Sequence, residues 1–299
     1  MRKELSVLLP VYECSCTQLV NALHEQCAKA GIDFEIVVAD DGSPCRDFIE
    51  DNRTIERLNH VRYVVRPNNV GRAAIRNFLA REARYAWLLF CDGDMELHNP
   101  TFIATYLQTE GPLVYGGYTT DQHPSEETPP NLRHRYEQAH RLNHSAEVRS
   151  QHPYHDFHTS NFLVERQIMA AHPFDERFRH YGYEDVLWGK QLEKKAIPIV
   201  HIDNPLSFCH YEDNAHFIDK TEEGLRTLAT FRSELAGFSP LLAHFRTLSR
   251  VRADVFLAFL YKMTGKKLRN SLIHNNPPLF LFNIYKLLYF AHYIKKTDK

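Results

Sequence analysis

Over its first 120 residues the chain alternates short, continuous apolar runs with amphipathic stretches. LSVLLPV (5–11), FEIVVA (34–39), VRYVV (61–65) and AWLLFC (86–91) have strand length and are rich in β-branched and aromatic residues. Runs that are apolar on both faces suit strands covered on both sides of a parallel sheet. Leu19, Val20, Leu23 and Cys27 recur at helical spacing, and residues 73–84 read as a second helix. Strand–helix–strand alternation of this kind predicts βαβ units and an open α/β sheet. Ligands of such sheets bind beyond the carboxyl ends of the strands. Chemistry is therefore expected just after Val11, Ala39 and Cys91.

A polar stretch, TTDQHPSEETPP (119–130), breaks the pattern and reads as a loop. Order resumes at SNFLV (160–164), at 174–196 and at 199–202, and from Ala215 onward the pattern is helical, with no internal repeat. The 299 residues are 43 % hydrophobic, enough for a sizeable core. Lys and Arg number 36 against 37 Asp and Glu, a balance that argues against a dedicated nucleic-acid binder. The balance hides an asymmetry. From Pro240 on there are 11 Lys/Arg against only Asp254 and Asp298, so an acidic body carries a basic tail. The six cysteines lack a disulfide rhythm, and Cys14-x-Cys16 is too close for a zinc knuckle. Reduced thiols in a cytosolic setting are expected, and the short apolar run after Met1 predicts no secretory signal.

Asp92 and Asp94 follow the run ending at Cys91, in FCDGDM. Side chains one residue apart project to the same side of an extended segment, so the two carboxylates suit a divalent cation. The same Asp-Gly pair also suits a solvated turn. Asp41, in ADDGS, stands at another strand end, where a carboxylate accepts an imide N–H or caps the next helix. RPNNVGRAAIRN (66–77) is a turn opening a helix, whose N-terminus suits phosphate, with Arg72 and Arg76 as counter-charges. Glu184 and Asp185 open a later helical run, beside Tyr181, Tyr183 and Trp188. A carboxylate there suits proton acceptance from a hydroxyl, while N-terminal helix charge and core aromatics account for the same pattern. His210 is one of 18 histidines, and no H-x-x-x-H pair is formed with His201 or His216.

Taken in order, these segments resemble the inverting family 2 glycosyltransferases over residues 4–214. SVLLPVY (6–12), the Asp40-Asp41-Gly-Ser43 turn, residues 69–77 and Asp92-Gly-Asp94 match the family's donor half. FDERF (174–178) followed by GYED (182–185) is similar to β-1,4-galactosyltransferases, polypeptide N-acetylgalactosaminyltransferases and chondroitin-type polymerases. The resemblance implies a GT-A nucleotide-sugar-binding fold with a mostly parallel central sheet and a C-terminal helical extension. It implies a catalytic domain at 1–214, with a donor half at 1–118 and an acceptor half at 150–214, and a helical region at 215–299. Its implied reaction is metal-dependent transfer, with inversion, from a nucleotide-diphosphate sugar, UDP by family expectation, to a hydroxyl of a glycan or lipid-linked acceptor. By the same resemblance Pro10, Val11 and Tyr12 line the nucleoside pocket, Asp41 pairs with uracil, and Arg72, Asn77 and Asn161 serve the donor. Asp94, Asp92 and His210 hold Mn²⁺ or Mg²⁺, Asp185 is the base, and Glu184 binds the acceptor hydroxyl. Two departures stand out: Tyr181-Gly-Tyr183 replaces the usual Gly-Gly, and Glu13 stands where asparagine is common.

LFLFNIYKLLYFAHYI (279–294) is interrupted by Asn283, Lys286 and His292. At 1.5 Å per residue it reaches about 24 Å, short of a bilayer core of roughly 30 Å. Its tyrosines and the flanking Lys295, Lys296 and Lys299, with Ala253–Met263 and Lys266–Arg269 nearby, better suit an interfacial helix on an anionic membrane surface; the alternative is a helix docked on the catalytic domain or on a second subunit. The chain is thus expected to be cytoplasmic and peripheral on the inner membrane face, with roles in surface polysaccharide synthesis. Other classes fit less well. A nucleotidyltransferase calls for a Gly-rich loop with a lysine, which VYECSCT (11–17) lacks, and no G-x-G-x-x-G for a dehydrogenase follows the first run. A non-catalytic nucleotide-sugar-binding protein would bind UDP without hydrolysing the donor.

Overall fold

The structure is a computed structural model and describes residues 2–120, 131–140, 145–208, 211–274 and 278–298. The chain forms two compact units. The first comprises residues 1–121, 141–179 and 184–210; the second comprises 122–140, 180–183 and 211–299.

The first unit begins with β1 (Glu4–Val11), α1 (Thr17–Ala30), β2 (Asp33–Asp40), α2 (Arg46–Arg53), β3 (Val61–Val65) and α3 (Arg72–Glu82). It continues through β4 (Trp87–Cys91), α4 (Phe102–Gln108), β5 (Leu113–Tyr115) and β6 (Tyr118–Thr120). After α5 (Leu132–His140), which belongs to the second unit, come α6 (Ala146–Arg149), β7 (Asn161–Glu165) and α7 (Arg166–Ala171). The unit closes with α8 (Glu184–Lys194), β8 (Val200–His201) and β9 (Leu206–Phe208). Seven strands form one sheet in the order β3-β2-β1-β4-β7-β5-β8. Pairing is parallel from β3 to β4 and between β5 and β8; β7 runs antiparallel to both of its neighbours. β6 and β9 pair separately, also in parallel.

The apolar runs at 5–11, 34–39, 61–65 and 86–91 became the four contiguous strands β1 to β4, with ends shifted by at most one residue. Leu5, Val7, Leu8 and Leu9 of β1 and Ile36, Val37, Val38 and Ala39 of β2 are all fully buried, as strands sandwiched between helices must be. Each Val, Leu or Ile among them contributes about 1.5–3 kcal/mol on leaving water. α1 buries Leu19, Val20, Leu23 and Cys27, the stripe that defined it, and ends on Gly31 in the left-handed conformation. The register pairs Val11 with Asp40 and Leu8 with Phe90, so the ends of β1, β2 and β4 lie side by side. Cys14, Cys16, Cys27, Cys45 and Cys91 are free thiols.

The second unit holds α5, α9 (Asn214–Thr230), α10 (Pro240–Arg250), α11 (Ala253–His274) and α12 (Leu279–Thr297). Asp213 caps α9 through the His216 N–H, and Ser239 caps α10, with Pro240 at its first position. Leu132, Phe217, Ile218, Leu272, Phe282 and Tyr285 make the core of this unit. α12 buries Phe282, Tyr285, Leu288, Phe290, Ala291 and Ile294, so most of the apolar tail read from the sequence is interior. Among the described residues no helix is long and apolar enough to cross a membrane.

Candidate active site

Three strand ends and two helix starts make the site. Beyond β1, Tyr12 is exposed, while Val11 is buried and its carbonyl accepts from the Asp41 N–H at 2.8 Å. Beyond β4, the Gly93 N–H donates to the Pro10 carbonyl at 3.3 Å. A Cβ on Gly93 would lie 2.7 Å from the Val11 side chain, so only glycine lets these two strand ends meet. Pro10, Val11, Asp41 and Asp92 thus share one edge of the sheet.

Asp40 is fully buried and holds the turn that follows it, accepting from the Ser43 N–H at 2.7 Å and the Tyr63 hydroxyl at 3.2 Å. Asp41 accepts from the backbone N–H groups of Val70 and Gly71 at 3.0–3.2 Å. Burial pushes its carboxyl above the usual range, and those two N–H groups pull against it. Asp41 therefore anchors the loop that opens α3, using both oxygens for it.

Arg72 and Arg76 lie one turn apart on α3 and join the two halves of the site. Arg76 Nη2 meets Asp92 Oδ1 at 2.5 Å and Arg72 Nη2 meets Asp92 Oδ2 at 3.1 Å. The same pair reaches Glu184 Oε1, at 3.3 Å from Arg72 and 3.8 Å from Arg76. Arg76 is 1 % exposed and Glu184 is buried. Buried charges at such a focus persist because they are paired.

Glu184 and Asp185 open α8, where the helix dipole favours anions. α8 is fixed by Trp188, whose indole N–H donates to the His172 carbonyl at 2.7 Å. The Trp188 ring packs on Phe174 at 4.6 Å between centroids. Gly189 lets the helix lie against Tyr154, whose carbonyl oxygen would be 2.4 Å from an added Cβ. Trp188 is thus core and offers no face to a sugar. Asp185 Oδ1 accepts from the Val186 N–H at 2.8 Å, and Oδ2 lies 3.3 Å from His158 Nδ1. Burial alone would raise the Asp185 pKa; the His158 hydrogen bond and charge, with the Val186 N–H and the Arg72 charge, together outweigh it and hold the group below the usual range. Burial, and next the charge of Asp185, push Glu184 the other way.

Asn77 and Asn161, expected at the donor, lie next to the site, Asn77 beside Arg76 on α3 and Asn161 paired with Cys91, but their amides are engaged by the fold. Asn77 is buried, donating to the Phe174 carbonyl and Glu176 Oε1 and accepting from the Phe174 N–H, at 2.9–3.0 Å. Asn161 donates to the carbonyls of Gly117 and Asn204 and accepts from the Tyr106 hydroxyl. Both amides have their N–H groups engaged by the fold, so both read as clamps between segments. His158, by contrast, was not singled out by the sequence, being one histidine among 18.

Asp94 is exposed at the end of the D-x-D segment, and His210 lies outside the described residues. Among the described residues no group of three or more metal-type side chains comes together. Asp92 and Asp94 nonetheless supply hard carboxylate oxygens, the donor chemistry that Mn²⁺ and Mg²⁺ take. In donor chemistry the residues present fit such an ion, while both Asp92 oxygens are already held by Arg76 and Arg72.

Comparison with known proteins places this arrangement. A family model described as "Glycosyl transferase family 2" matches residues 6–172. Chondroitin synthase of Escherichia coli is 25 % identical over 254 residues, covering 68 % of this chain and 34 % of that protein. The chain thus spans about a third of the length of that relative. Among solved structures, the mannosyltransferase PcManGT from Pyrobaculum calidifontis superposes with a TM-score of 0.56 at 13 % identity, covering 98 % of this chain and 86 % of that one. TarS of S. aureus gives 0.50 at 16 % identity, covering 99 % and 92 %. At those identities the likeness speaks for the fold, a mostly parallel GT-A-like sheet with helices. With more than half of its length matched by the family model, the chain belongs to glycosyl transferase family 2.

Proposed function

We propose that the chain transfers a sugar, with inversion, from a nucleotide-diphosphate donor, UDP by preference, to a hydroxyl of a glycan or glycolipid. The observation that carries this reading is the Asp185 carboxylate, held at a helix start 3.3 Å from His158 and next to Glu184, which is joined through Arg72 and Arg76 to Asp92 at the sheet edge. The exposed Tyr12 ring offers a face to a base, and the Asp41-anchored loop sets the N-terminus of α3 toward phosphate. Arg72 and Arg76 supply fixed positive charge where a diphosphate would leave. Asp185 takes the proton of the acceptor hydroxyl, in a single displacement at the anomeric carbon, while Glu184 orients that hydroxyl.

Asp94, with Asp92 and His210, would hold Mn²⁺ or Mg²⁺, whose Lewis acidity offsets negative charge on the departing diphosphate. The mannosyltransferase PcManGT, solved with GDP-Man and Mn²⁺, is a precedent for such a pairing on this fold. The setting we propose is peripheral, at the inner face of a membrane where a surface polysaccharide is built.

A panel of sugar nucleotides with Mn²⁺, followed by released nucleotide, tests the reaction. One donor should be turned over, and silence across the panel would overturn the proposal. Asp185→Asn should lower kcat by on the order of 10³-fold with donor binding retained. Near-normal turnover would remove Asp185 from the role of base.

A further inference from the structure

We infer that one face of α11 is a docking surface for an anionic lipid bilayer. The inference stands on the second unit alone and does not depend on the transferase reading. Within that unit α11 buries only Asp254, Ala258, Gly265 and Leu272, a narrow stripe at helical spacing. The opposite side carries Val255, Phe256, Phe259 and Met263, exposed at 55, 64, 59 and 66 %. Large apolar side chains clustered on one exposed helix face are uncommon on a solvated surface and mark an interaction site. Val251, in the turn before the helix, extends the cluster.

Charge selects the occupant. Lys262, Lys266 and Lys267 are exposed on the same side, beyond the apolar cluster, and Arg250 and Arg252 are exposed before it. The only acidic residues after Pro240 are Asp254 and Asp298. Asp254 is buried against Lys295 at 2.5 Å, and Asp298 pairs with Arg232 at 3.0 Å. Among the described residues none of these five cations is ion-paired, so the face presents apolar side chains rimmed by positive charge, which matches acyl chains beneath anionic headgroups. A second copy laid face to face would oppose the same lysines. The sequence pointed to 279–294 for this contact, with 253–263 and 266–269 nearby; α12 buries six of its apolar residues, and the larger exposed apolar face belongs to α11.

The test is co-sedimentation of the full chain with vesicles of phosphatidylcholine, with and without phosphatidylglycerol, at low and high salt. Binding should require phosphatidylglycerol and weaken with salt. Phe256→Ser with Phe259→Ser should reduce partitioning at least about tenfold. Lys262→Gln, Lys266→Gln and Lys267→Gln together should reduce it on the order of 100-fold. Melting temperatures should hold, since all five side chains are exposed. If the phenylalanine variant does not fold, the lysine variant alone decides. Full-length chain left in the supernatant with anionic vesicles overturns the proposal, as does binding indifferent to the lysines. A concentration-dependent dimer that the phenylalanine variant dissolves would assign the face to a second copy instead.

Discussion

Burial by itself raises the Asp185 pKa, and of the groups that oppose it His158 comes first. The adjacent carboxylates of Glu184 and Asp185 are thereby driven in opposite directions, the pattern expected where one group must stay a base. Replacing His158 by alanine removes both the hydrogen bond and the charge, so the Asp185 pKa rises. The acidic limb of kcat/KM then moves to higher pH, while the plateau falls by no more than about tenfold because the base itself remains. A pH–rate profile identical to wild type would show that His158 does not set the base. A second histidine works on stability. His201 accepts from Arg149 at 3.2 Å and donates to the Pro153 carbonyl at 2.9 Å, and burial, then the nearby Arg149 charge, lower its pKa to about 4. Its ordinary value is about 6.5, so the unfolded chain binds a proton that the folded chain refuses between those pH values. Stability present above that window is lost as pH falls through it, by about 3 kcal/mol from this group. His201→Gln can keep both hydrogen bonds without titrating. Thermal melts from neutrality down to pH about 4 should therefore show a smaller acid loss for the variant than for wild type.

The start of α3 shows how one element carries a binding loop. Gly71 sits at φ 91° and ψ 163°, a conformation open only to glycine, and a Cβ there would lie 2.7 Å from the Arg179 carbonyl oxygen. Its N–H is also one of the two that hold Asp41. Gly71→Ala should cost about 2–3 kcal/mol and weaken binding of UDP, measurable by melting and by titration. Unchanged affinity in a folded variant would separate this loop from the donor. The glycine, the helix it opens and strands β1 to β4 were all legible in the sequence, because long apolar runs and turn residues report directly on local structure. β5, β6 and β9 were not, since three residues carry no periodicity. The acidic residues Asp92, Glu184 and Asp185 were legible as types, but their joining through Arg72 and Arg76 is a property of the fold. The same limit explains Asn77, Asn161 and Trp188. Sequence shows a polar or aromatic residue in the right motif, while only the fold shows that its hydrogen bonds or faces are already taken.

At the scale of the whole molecule, the units are not consecutive along the chain. The resemblance puts a boundary near residue 214, yet the second unit also takes residues 122–140 and 180–183. Within it, α5 contributes Leu132 and Tyr136 to a cluster with Phe217 and Phe282. The short segment 180–183 is held by α9: the Tyr181 N–H donates to Glu223 at 3.3 Å, and Thr227 Oγ1 donates to the Tyr181 carbonyl at 3.1 Å. One peptide beyond Tyr183 the chain enters Glu184 and Asp185. Thr227→Val deletes one hydrogen bond, worth about 1 kcal/mol of stability. The variant should melt a few degrees lower in thermal denaturation, and an unchanged melting temperature would show that the bond contributes nothing. Stopping the chain after residue 210 removes α9 entirely, strands the cluster residues of α5 in water, and should give protein that aggregates and lacks turnover. A soluble, fully active product of that truncation would mean that residues 211–299 are dispensable to the site, and that the boundary near 214 is a true folding boundary.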